Sequence, residues 1–178
     1  TTVKKFFLSF LTFMLLLCSL PYQVVLADEL DLPAQSAIAV EADTGKILYE
    51  KDSEKKRDVG GLSTLLTTYL IFEAIHEKKL SLKDPIKLSE KALALNDIEG
   101  AGTLPMEANQ YTVEQLLTAL LVGNSSTAAL ALAEKVGGSE KSFVEKMKQK
   151  LSEWGIQSPH LINATGLNTQ TISGDPDG

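Results

Sequence analysis

A strongly apolar segment that begins at Leu62 constrains the fold more than any other feature of this chain. Its apolar side chains cover most of a helical circumference: Leu65, Leu66, Tyr69, Leu70, Ile71, Phe72, Ala74 and Ile75. The segment ends at the polar run His76-Glu77-Lys78-Lys79. A helix that is apolar nearly all round is buried on nearly all sides. The sequence therefore predicts a central helix around which one domain is organised.

Residues 36–51, upstream of this helix, predict a β-hairpin. Small or apolar residues alternate with polar ones on both sides of Asp43-Thr44-Gly45, where the glycine supplies the positive φ that the loop needs. The charged stretch from Lys51 to Asp58 predicts a solvated connection between the hairpin and the helix. Further downstream, Asp84-Pro85 and Gly100-Ala101-Gly102 are turn signals within short elements and loops.

Three more helices are predicted after Met106. Thr112-Val113-Glu114-Gln115 is a capping box, and the helix that it starts ends at Gly123-Asn124-Ser125-Ser126. The next helix runs from Thr127 to Val136 and is closed by Gly137-Gly138. Ser139 caps the last, whose apolar face consists of Phe143, Met147, Leu151 and Trp154. We expect Trp154 to lie in the core.

The first residues of the chain predict a secretory signal peptide. Lys4-Lys5 precedes an apolar run from Phe6 to Leu17, and Ala27 supplies a small residue before Asp28. The run is shorter than the ~20 residues that span a bilayer, so no stable membrane anchor is expected after cleavage. We therefore predict a signal peptide over residues 1–27 and a secreted, extracytoplasmic domain over residues 28–178. Cys18 allows a lipoprotein site as an alternative, although Leu17 is bulkier than such sites prefer.

The charge of the exported part argues against nucleic acid as a partner. Lys4 and Lys5 are two of the 17 basic residues, so 15 remain against 23 acidic residues, a formal charge of −8. Phosphate binding needs a basic stripe, and none is visible. The exported part has no cysteine, and His76 and His160 do not form a metal-site pattern. We expect no metal and no other cofactor.

The last residues, Asp175-Pro176-Asp177-Gly178, form a turn cluster that no further helix or strand follows. Together with the two-stranded hairpin, which lacks the neighbouring strands of a full sheet, this pattern leads us to expect that residues 28–178 are a truncated domain.

Several strings of the sequence carry a family pattern, in one consistent order. They are residues 36–51, 111–117, 128–134 and 165–168, together with Gly138-Ser139 and Phe143-Val144. These strings resemble the low-molecular-weight penicillin-binding proteins, the serine-type D-Ala-D-Ala carboxypeptidases, from about Ala34 to Gly178. The resemblance implies an α/β fold of the β-lactamase/transpeptidase type, with an N-terminal β-hairpin, a mostly helical subdomain, and C-terminal sheet strands that are missing here. A class A β-lactamase is the nearest enzyme of another activity, but the characteristic glutamate loop of that class is not seen.

The resemblance also implies acyl transfer on the D-Ala-D-Ala end of peptidoglycan stem peptides, and three motifs that would perform it. Serine and lysine of Ser-x-x-Lys lie one helical turn apart, so that the lysine can accept the serine's proton. Here those positions are Gly61 and Thr64. The Ser-x-Asn positions are Asn124 and Ser126, with the two residue types exchanged, and a Lys-Thr-Gly strand is absent. Losing the nucleophile of a hydrolytic triad alone costs about a millionfold in turnover.

Neighbouring serines do not replace the missing nucleophile in the sequence pattern. Ser63 lies two residues from Gly61, about 200° around the helix, and we interpret it as a helix cap. Ser53-Glu54-Lys55-Lys56 also spells Ser-x-x-Lys, but it falls in the charged connection, where nothing would lower the lysine's pKa. Asn163-Ala164-Thr165 fits the glycosylation pattern, and we interpret it as a turn before Gly166.

Three hypotheses follow for function. The chain is an active carboxypeptidase, a non-catalytic relative that still binds peptidoglycan stem peptide or a partner, or a decayed and truncated paralogue. The substitutions at Gly61, Thr64, Asn124 and Ser126 favour the second and third hypotheses over the first.

Overall fold

The computed structural model describes residues 32–102, 104–156 and 161–167. They fall into two compact units, with the boundary in sequence between Lys56 and Arg57. The predicted signal peptide, His160 and the turn cluster at 175–178 lie outside the described residues. In the part of the chain that the structure covers, no helix is long and apolar enough to cross a membrane.

The first unit contains the predicted hairpin. Strand β1 (Ala37–Val40) pairs antiparallel with strand β2 (Ile47–Lys51), so that Ala37 lies opposite Lys51 and Val40 opposite Ile47. A bulge between Ala39 and Val40 shifts the register. Gly45 adopts a φ of 70° in the connecting loop, as the sequence pattern requires. The hairpin prediction is confirmed.

The second unit is mostly helical. A 3-10 turn at Gly60–Leu62 leads into helix α1 (Ser63–His76), and a short helix α2 (Glu90–Ala94) continues into a second 3-10 turn at Leu95–Asp97. Strands β3 (Pro85–Lys87) and β4 (Gln110–Thr112) pair antiparallel. Three long helices complete the unit: α3 (Val113–Gly123), α4 (Ser126–Gly137) and α5 (Glu140–Glu153).

Local capping chemistry sets the beginning of each of these three helices. At α3, Thr112 Oγ1 accepts from the Gln115 N–H while the Gln115 side chain accepts from the Thr112 N–H, which completes the predicted capping box. Ser125 caps α4 and Ser139 caps α5, in both cases by accepting a backbone N–H three residues on. These bonds satisfy donors that have no partner inside the helix.

Helix α4 forms the centre of the core. All residues from Ser126 to Ala133 are buried, and α1, α2, α3 and α5 all pack against this helix. Four of those residues are alanines, and small side chains let neighbouring helices approach closely on every side. The described part of the second unit is therefore organised around α4 rather than around α1.

The prediction that α1 is buried on nearly all sides is wrong. Its buried face consists of Thr67, Thr68, Leu70, Ile71 and Ala74, whereas Leu65, Tyr69 and Phe72 on another face are exposed. The physical reason is that, among the described residues of this unit, α1 packs mainly against α4 and α5, which cover one of its faces.

The prediction that Trp154 lies in the core is also wrong, since half of its surface is exposed. Helix α5 ends at Glu153, so Trp154 leaves the apolar face that Phe143 and Met147 define. Its ring instead meets Tyr69 edge to face, with the ring centroids 5.0 Å apart.

The segment 161–167 is tied to α1 through a buried hydrogen bond. Thr67 Oγ1 donates to the Ala164 carbonyl over 2.8 Å. Asn163 closes the turn itself, because its Oδ1 accepts from the Gly166 N–H and its Nδ2 donates to the Leu167 carbonyl, both over 2.7 Å. The turn predicted before Gly166 is confirmed. The Asn163 amide is buried and bonded, so it is not presented as a glycosylation acceptor.

Replacing Thr67 with valine tests this tie. Thr67→Val keeps the shape of the side chain but leaves the Ala164 carbonyl without its donor, so we expect the free energy of unfolding to fall by about 1–3 kcal/mol. Urea denaturation followed by circular dichroism measures the change. The matched control is Thr118→Val, which removes an exposed hydroxyl bonded within α3 and should alter stability by less than about 0.5 kcal/mol. Equal effects of the two substitutions would contradict the assignment.

Candidate active site

The first predicted motif lies where the 3-10 turn runs into α1. Gly61 is exposed and has an ordinary negative φ, and a Cβ added there would meet nothing within 4 Å. Gly60, by contrast, has a φ of 50°. The backbone at position 61 could therefore carry a side chain in open space. The chain supplies none.

Thr64 lies one helical turn beyond Gly61, at the predicted lysine position. Its Oγ1 donates to the Gly61 carbonyl over 2.6 Å. The side chain thus folds back onto the first turn of the helix and stabilises it locally. The Thr64 hydroxyl therefore serves as a hydrogen-bond donor to the backbone at the start of the helix. Threonine has no amine, so this side chain cannot accept a proton as a lysine base would.

Ser63 does not act as the helix cap that the sequence suggests. It is the first residue of α1, the turn makes no side-chain capping bond, and no described residue hydrogen-bonds to the buried Ser63 Oγ. The hydroxyl lies against the turn at Gly166: a Cβ at Gly166 would come within 2.7 Å of it. Ser63 therefore faces packed backbone, with no described base in contact to activate it.

The second predicted motif forms the junction between α3 and α4. Asn124 ends α3 in the left-handed conformation, with φ 50° and ψ 38°, and its side chain is exposed. Ser125 and Ser126 are both buried. Ser125 Oγ accepts from the Ala128 N–H over 3.2 Å, and the Ser126 N–H donates to the Ala101 carbonyl over 2.7 Å. Of these three residues, only Asn124 presents its side chain to solvent.

The loop around Gly102, which the sequence predicts only as a turn, holds this junction. Gly102 has a φ of 130°, and a Cβ there would lie 2.7 Å from the Asn124 carbonyl oxygen. Asn96 fixes the same loop, because its amide bonds both the N–H and the carbonyl of Met106, and its Oδ1 accepts from Thr127 Oγ1. No sequence pattern indicates this role of Asn96, because its partners are ten and 31 residues away.

None of the motif residues Gly61, Thr64, Asn124, Ser125 or Ser126 has an ionisable side chain. Within the described ranges, no group of three or more His, Cys, Asp or Glu could hold a metal ion. The Ser-x-x-Lys string at 53–56 lies in the first unit, where Ser53 Oγ donates to the Glu50 carboxylate and Lys56 falls in the irregular segment after β2. The chemistry of the described site is therefore that of neutral hydrogen-bonding groups and backbone.

Comparison with known proteins identifies the family. The family described as D-alanyl-D-alanine carboxypeptidase matches residues 23–174. This chain belongs to that family. Among curated relatives, the D-alanyl-D-alanine carboxypeptidase DacF of Bacillus subtilis is 32% identical over 80% of this chain and 36% of its own length. DacA of Escherichia coli is 25% identical over 77% of this chain and 35% of its own length. The chain thus spans about a third of the length of these relatives.

Solved structures of the family share the fold. A peptidoglycan synthesis regulatory factor (PBP3) from Streptococcus pneumoniae matches with a TM-score of 0.73 and 46% identity, over 80% of this chain and 43% of that protein. The D-alanyl-D-alanine carboxypeptidase DacD from Francisella tularensis matches with a TM-score of 0.71 and 28% identity, over 79% of this chain and 33% of that protein. The predicted partial α/β fold of the transpeptidase type is confirmed. The assignment of Gly61, Thr64, Asn124 and Ser126 to the family's motif positions stays a prediction.

Gly61 and Gly166 both lie near the start of α1, but an added side chain would meet different surroundings at the two positions. Substitutions at these two glycines form a matched pair. A Cβ at Gly166 would overlap the Gly60 carbonyl oxygen, and the φ there is 73°. We expect Gly166→Ala to lower the free energy of unfolding by at least ~2 kcal/mol, because it adds both overlap and backbone strain. Gly61→Ala has open space and should be neutral or stabilising by up to about 1 kcal/mol.

Urea denaturation of both variants measures these free energies. A large loss of stability in Gly61→Ala would show that position 61 lacks the open space described. A neutral Gly166→Ala would show that the turn at Gly166 does not pack on the start of α1.

Proposed function

We propose that this chain is a non-catalytic member of the D-alanyl-D-alanine carboxypeptidase family. The observation that carries the proposal is the start of α1, where Gly61 has no side chain and Thr64 donates its hydroxyl to the Gly61 carbonyl. Acyl transfer of the family type needs a nucleophile and a base one helical turn apart. Neither group is present at the positions that the resemblance assigns.

The energetic consequence of this loss is large. Removal of a catalytic serine from a hydrolase lowers turnover by about 10⁶-fold, which corresponds to about 8 kcal/mol of transition-state stabilisation. A neighbouring hydroxyl is not placed to act as the nucleophile instead. The Ser63 hydroxyl oxygen is buried against the Gly166 turn, and the Thr64 hydroxyl donates its proton to a carbonyl. An uncharged hydroxyl is a weak nucleophile unless a base is in contact with it.

The second candidate function is binding of a peptidoglycan stem peptide, and the exposed side chain of Asn124 favours it. The Asn124 side chain is exposed at a junction held by Gly102 and the Ala101 carbonyl. A side-chain amide can both donate to and accept from a peptide backbone. The Ser125 hydroxyl is committed to capping α4, so Asn124 would make the polar contact that this motif offers. Binding of this kind would take place outside the cytoplasm, where the signal peptide predicted over residues 1–27 would direct the domain.

A covalent label tests for chemistry. Incubation of the purified chain with a fluorescent penicillin should give no band that survives denaturation, because position 61 offers no hydroxyl for acylation. DacF of Bacillus subtilis, treated in parallel, serves as the positive control. A stoichiometric, denaturation-resistant label on this chain would overturn the proposal and would identify it as an active acyl-transfer enzyme.

Retention on purified peptidoglycan tests for binding. If Asn124 contacts the stem peptide, Asn124→Ala should raise the dissociation constant, measured from retention over a series of peptidoglycan concentrations, by about fivefold, the effect of one net hydrogen bond of about 1 kcal/mol. Asn109→Ala replaces another exposed asparagine and should leave retention unchanged. Wild-type retention no higher than that of an unrelated acidic protein would eliminate the binding function and favour a copy without a function of its own.

A further inference from the structure

Two surface cavities adjoin where α1 ends, and lysine side chains line both of them. The first, of about 320 Å³, lies between α1, the end of α4 and α5, and the second, of about 650 Å³, lies against the segment that follows α1. Lys79 and the buried Leu80 line both cavities, so the two form one continuous groove in the second unit. We name it the lysine groove, after Lys78, Lys79, Lys83, Lys135, Lys146 and Lys150.

Two lysines of the groove are compensated by carboxylates. Lys150 bonds Glu73 over 2.8 Å and Glu153 over 2.9 Å, and these carboxylates hold its pKa above the ordinary value of a lysine. Lys79 bonds Glu77 over 2.6 Å, and this bond lowers the pKa of the Glu77 carboxyl. These three carboxylates are therefore already engaged within the groove.

The other four lysines have no carboxylate partner within residues 32–102, 104–156 and 161–167: Lys78, Lys83, Lys135 and Lys146. Lys146 donates to the neutral Val136 carbonyl over 3.1 Å, an ordinary role for a lysine near a helix end, which leaves its charge uncompensated. Asp84 is the fourth acidic side chain that lines the groove, so four carboxylates stand against six lysines. The groove is thus positive in a chain whose formal net charge is −6.

The backbone of Lys78 gives a second, independent reason to expect a role for charge here. Its φ is 59°, and its N–H donates to the Ile75 carbonyl while the Lys79 N–H donates to the Ala74 carbonyl. Glycine usually occupies such a left-handed helix end, as Gly138 does at the end of α4, because a Cβ is disfavoured there. Lys78 therefore keeps a positive charge at a conformational cost, and such costs concentrate at functional positions.

We propose that the lysine groove binds a linear polyanion whose repeating units each carry a phosphate group. Lysine binds phosphate as a compact charge with rotatable donors, and all four uncompensated lysines are exposed. Lys78 and Lys83 line one cavity and Lys135 and Lys146 the other, so a chain of charges can engage both, whereas one small anion would occupy a single cavity. Because the chain is negative overall, a polyanion would be attracted to the groove and repelled elsewhere.

Two other occupants fit the lysine groove less well. A polypeptide layer that covered it would bury ammonium groups without partners, which is costly. A flat membrane surface would reach the exposed lysines but not the buried Leu80 between them. The four uncompensated lysines come from two stretches more than 50 residues apart, which is why no basic stripe is visible in the sequence.

Titration of end-labelled inorganic polyphosphate with the purified chain, followed by fluorescence anisotropy at several salt concentrations, tests the proposal. We expect Lys83→Ala with Lys135→Ala, one lysine from each cavity, to raise the dissociation constant by about tenfold or more. The plot of log affinity against log salt should also become shallower by about one unit per lysine removed. Lys55→Ala with Lys56→Ala removes the same charge from the first unit and should bind like the wild type.

Lys78→Gly separates binding from stability. Glycine relieves the strain of the left-handed φ, so we expect a higher melting temperature together with a dissociation constant for polyphosphate raised by about threefold or more. Weaker binding by a more stable protein cannot be attributed to poor folding. A Lys78→Gly chain that binds polyphosphate as well as the wild type would contradict a role for this charge.

Three further results would overturn the proposal. One is an equal dissociation constant for the wild type and for the Lys83→Ala, Lys135→Ala variant. Another is displacement of polyphosphate by inorganic orthophosphate at the same total phosphate concentration, which would make the groove a site for a single anion. The last is retention on vesicles of anionic phospholipid without binding of polyphosphate, which would make a membrane surface the occupant.

Discussion

The packing of helices around the alanine-rich α4 is the constraint on which the second unit depends. Because Ala128, Ala129, Ala131 and Ala133 are small, four other helices can contact α4 closely and fill the space with their own large side chains. The two ends of α4 are fixed separately, by the Ser125 cap at the start and by Gly138 in the left-handed conformation at the end. A bulkier residue on α4 would move several helices at once, including the helix that begins at the candidate site.

The parts of the fold that follow from short-range chemistry could be predicted from the sequence. The capping box at Thr112, the turn at Gly45 and the helix end at Gly138 each depend on residues a few positions apart. Exposure could not be predicted in the same way. The pattern of α1 states which residues are apolar, but the number of layers that cover them is a property of the whole domain. The exposure of Trp154 could not be predicted either, because it depends on the residue at which α5 ends.

The candidate site also combines features that short-range sequence patterns predict with features that depend on distant segments. Its position was predictable, because Gly61 and Thr64 mark the start of an apolar helix and Asn124 marks a helix junction. The roles of Ser63 and Asn96 were not, since both depend on distant segments: the Gly166 turn in one case and Met106 with Thr127 in the other. The residues that hold the candidate site in place are Gly102, Gly166 and Asn163. Support of the backbone and reactivity of the side chains thus rest on different positions of the sequence, and one set can change while the other is kept.

The hydrogen bond from Thr64 to the Gly61 carbonyl has a consequence for how such a chain could change over time. A serine at position 61 would fit the open space but would have no base beside it. A lysine at position 64 would give up the present bond and gain an amine with no nucleophile to serve. Neither substitution by itself would create catalytic activity, and the second would remove a local stabilising hydrogen bond. On the proposed assignment of these two positions, a catalytic pair would require both substitutions, and a chain that carries only one of them would gain no activity. The hydrogen bond from Thr64 therefore makes the change at position 64 slightly unfavourable for stability.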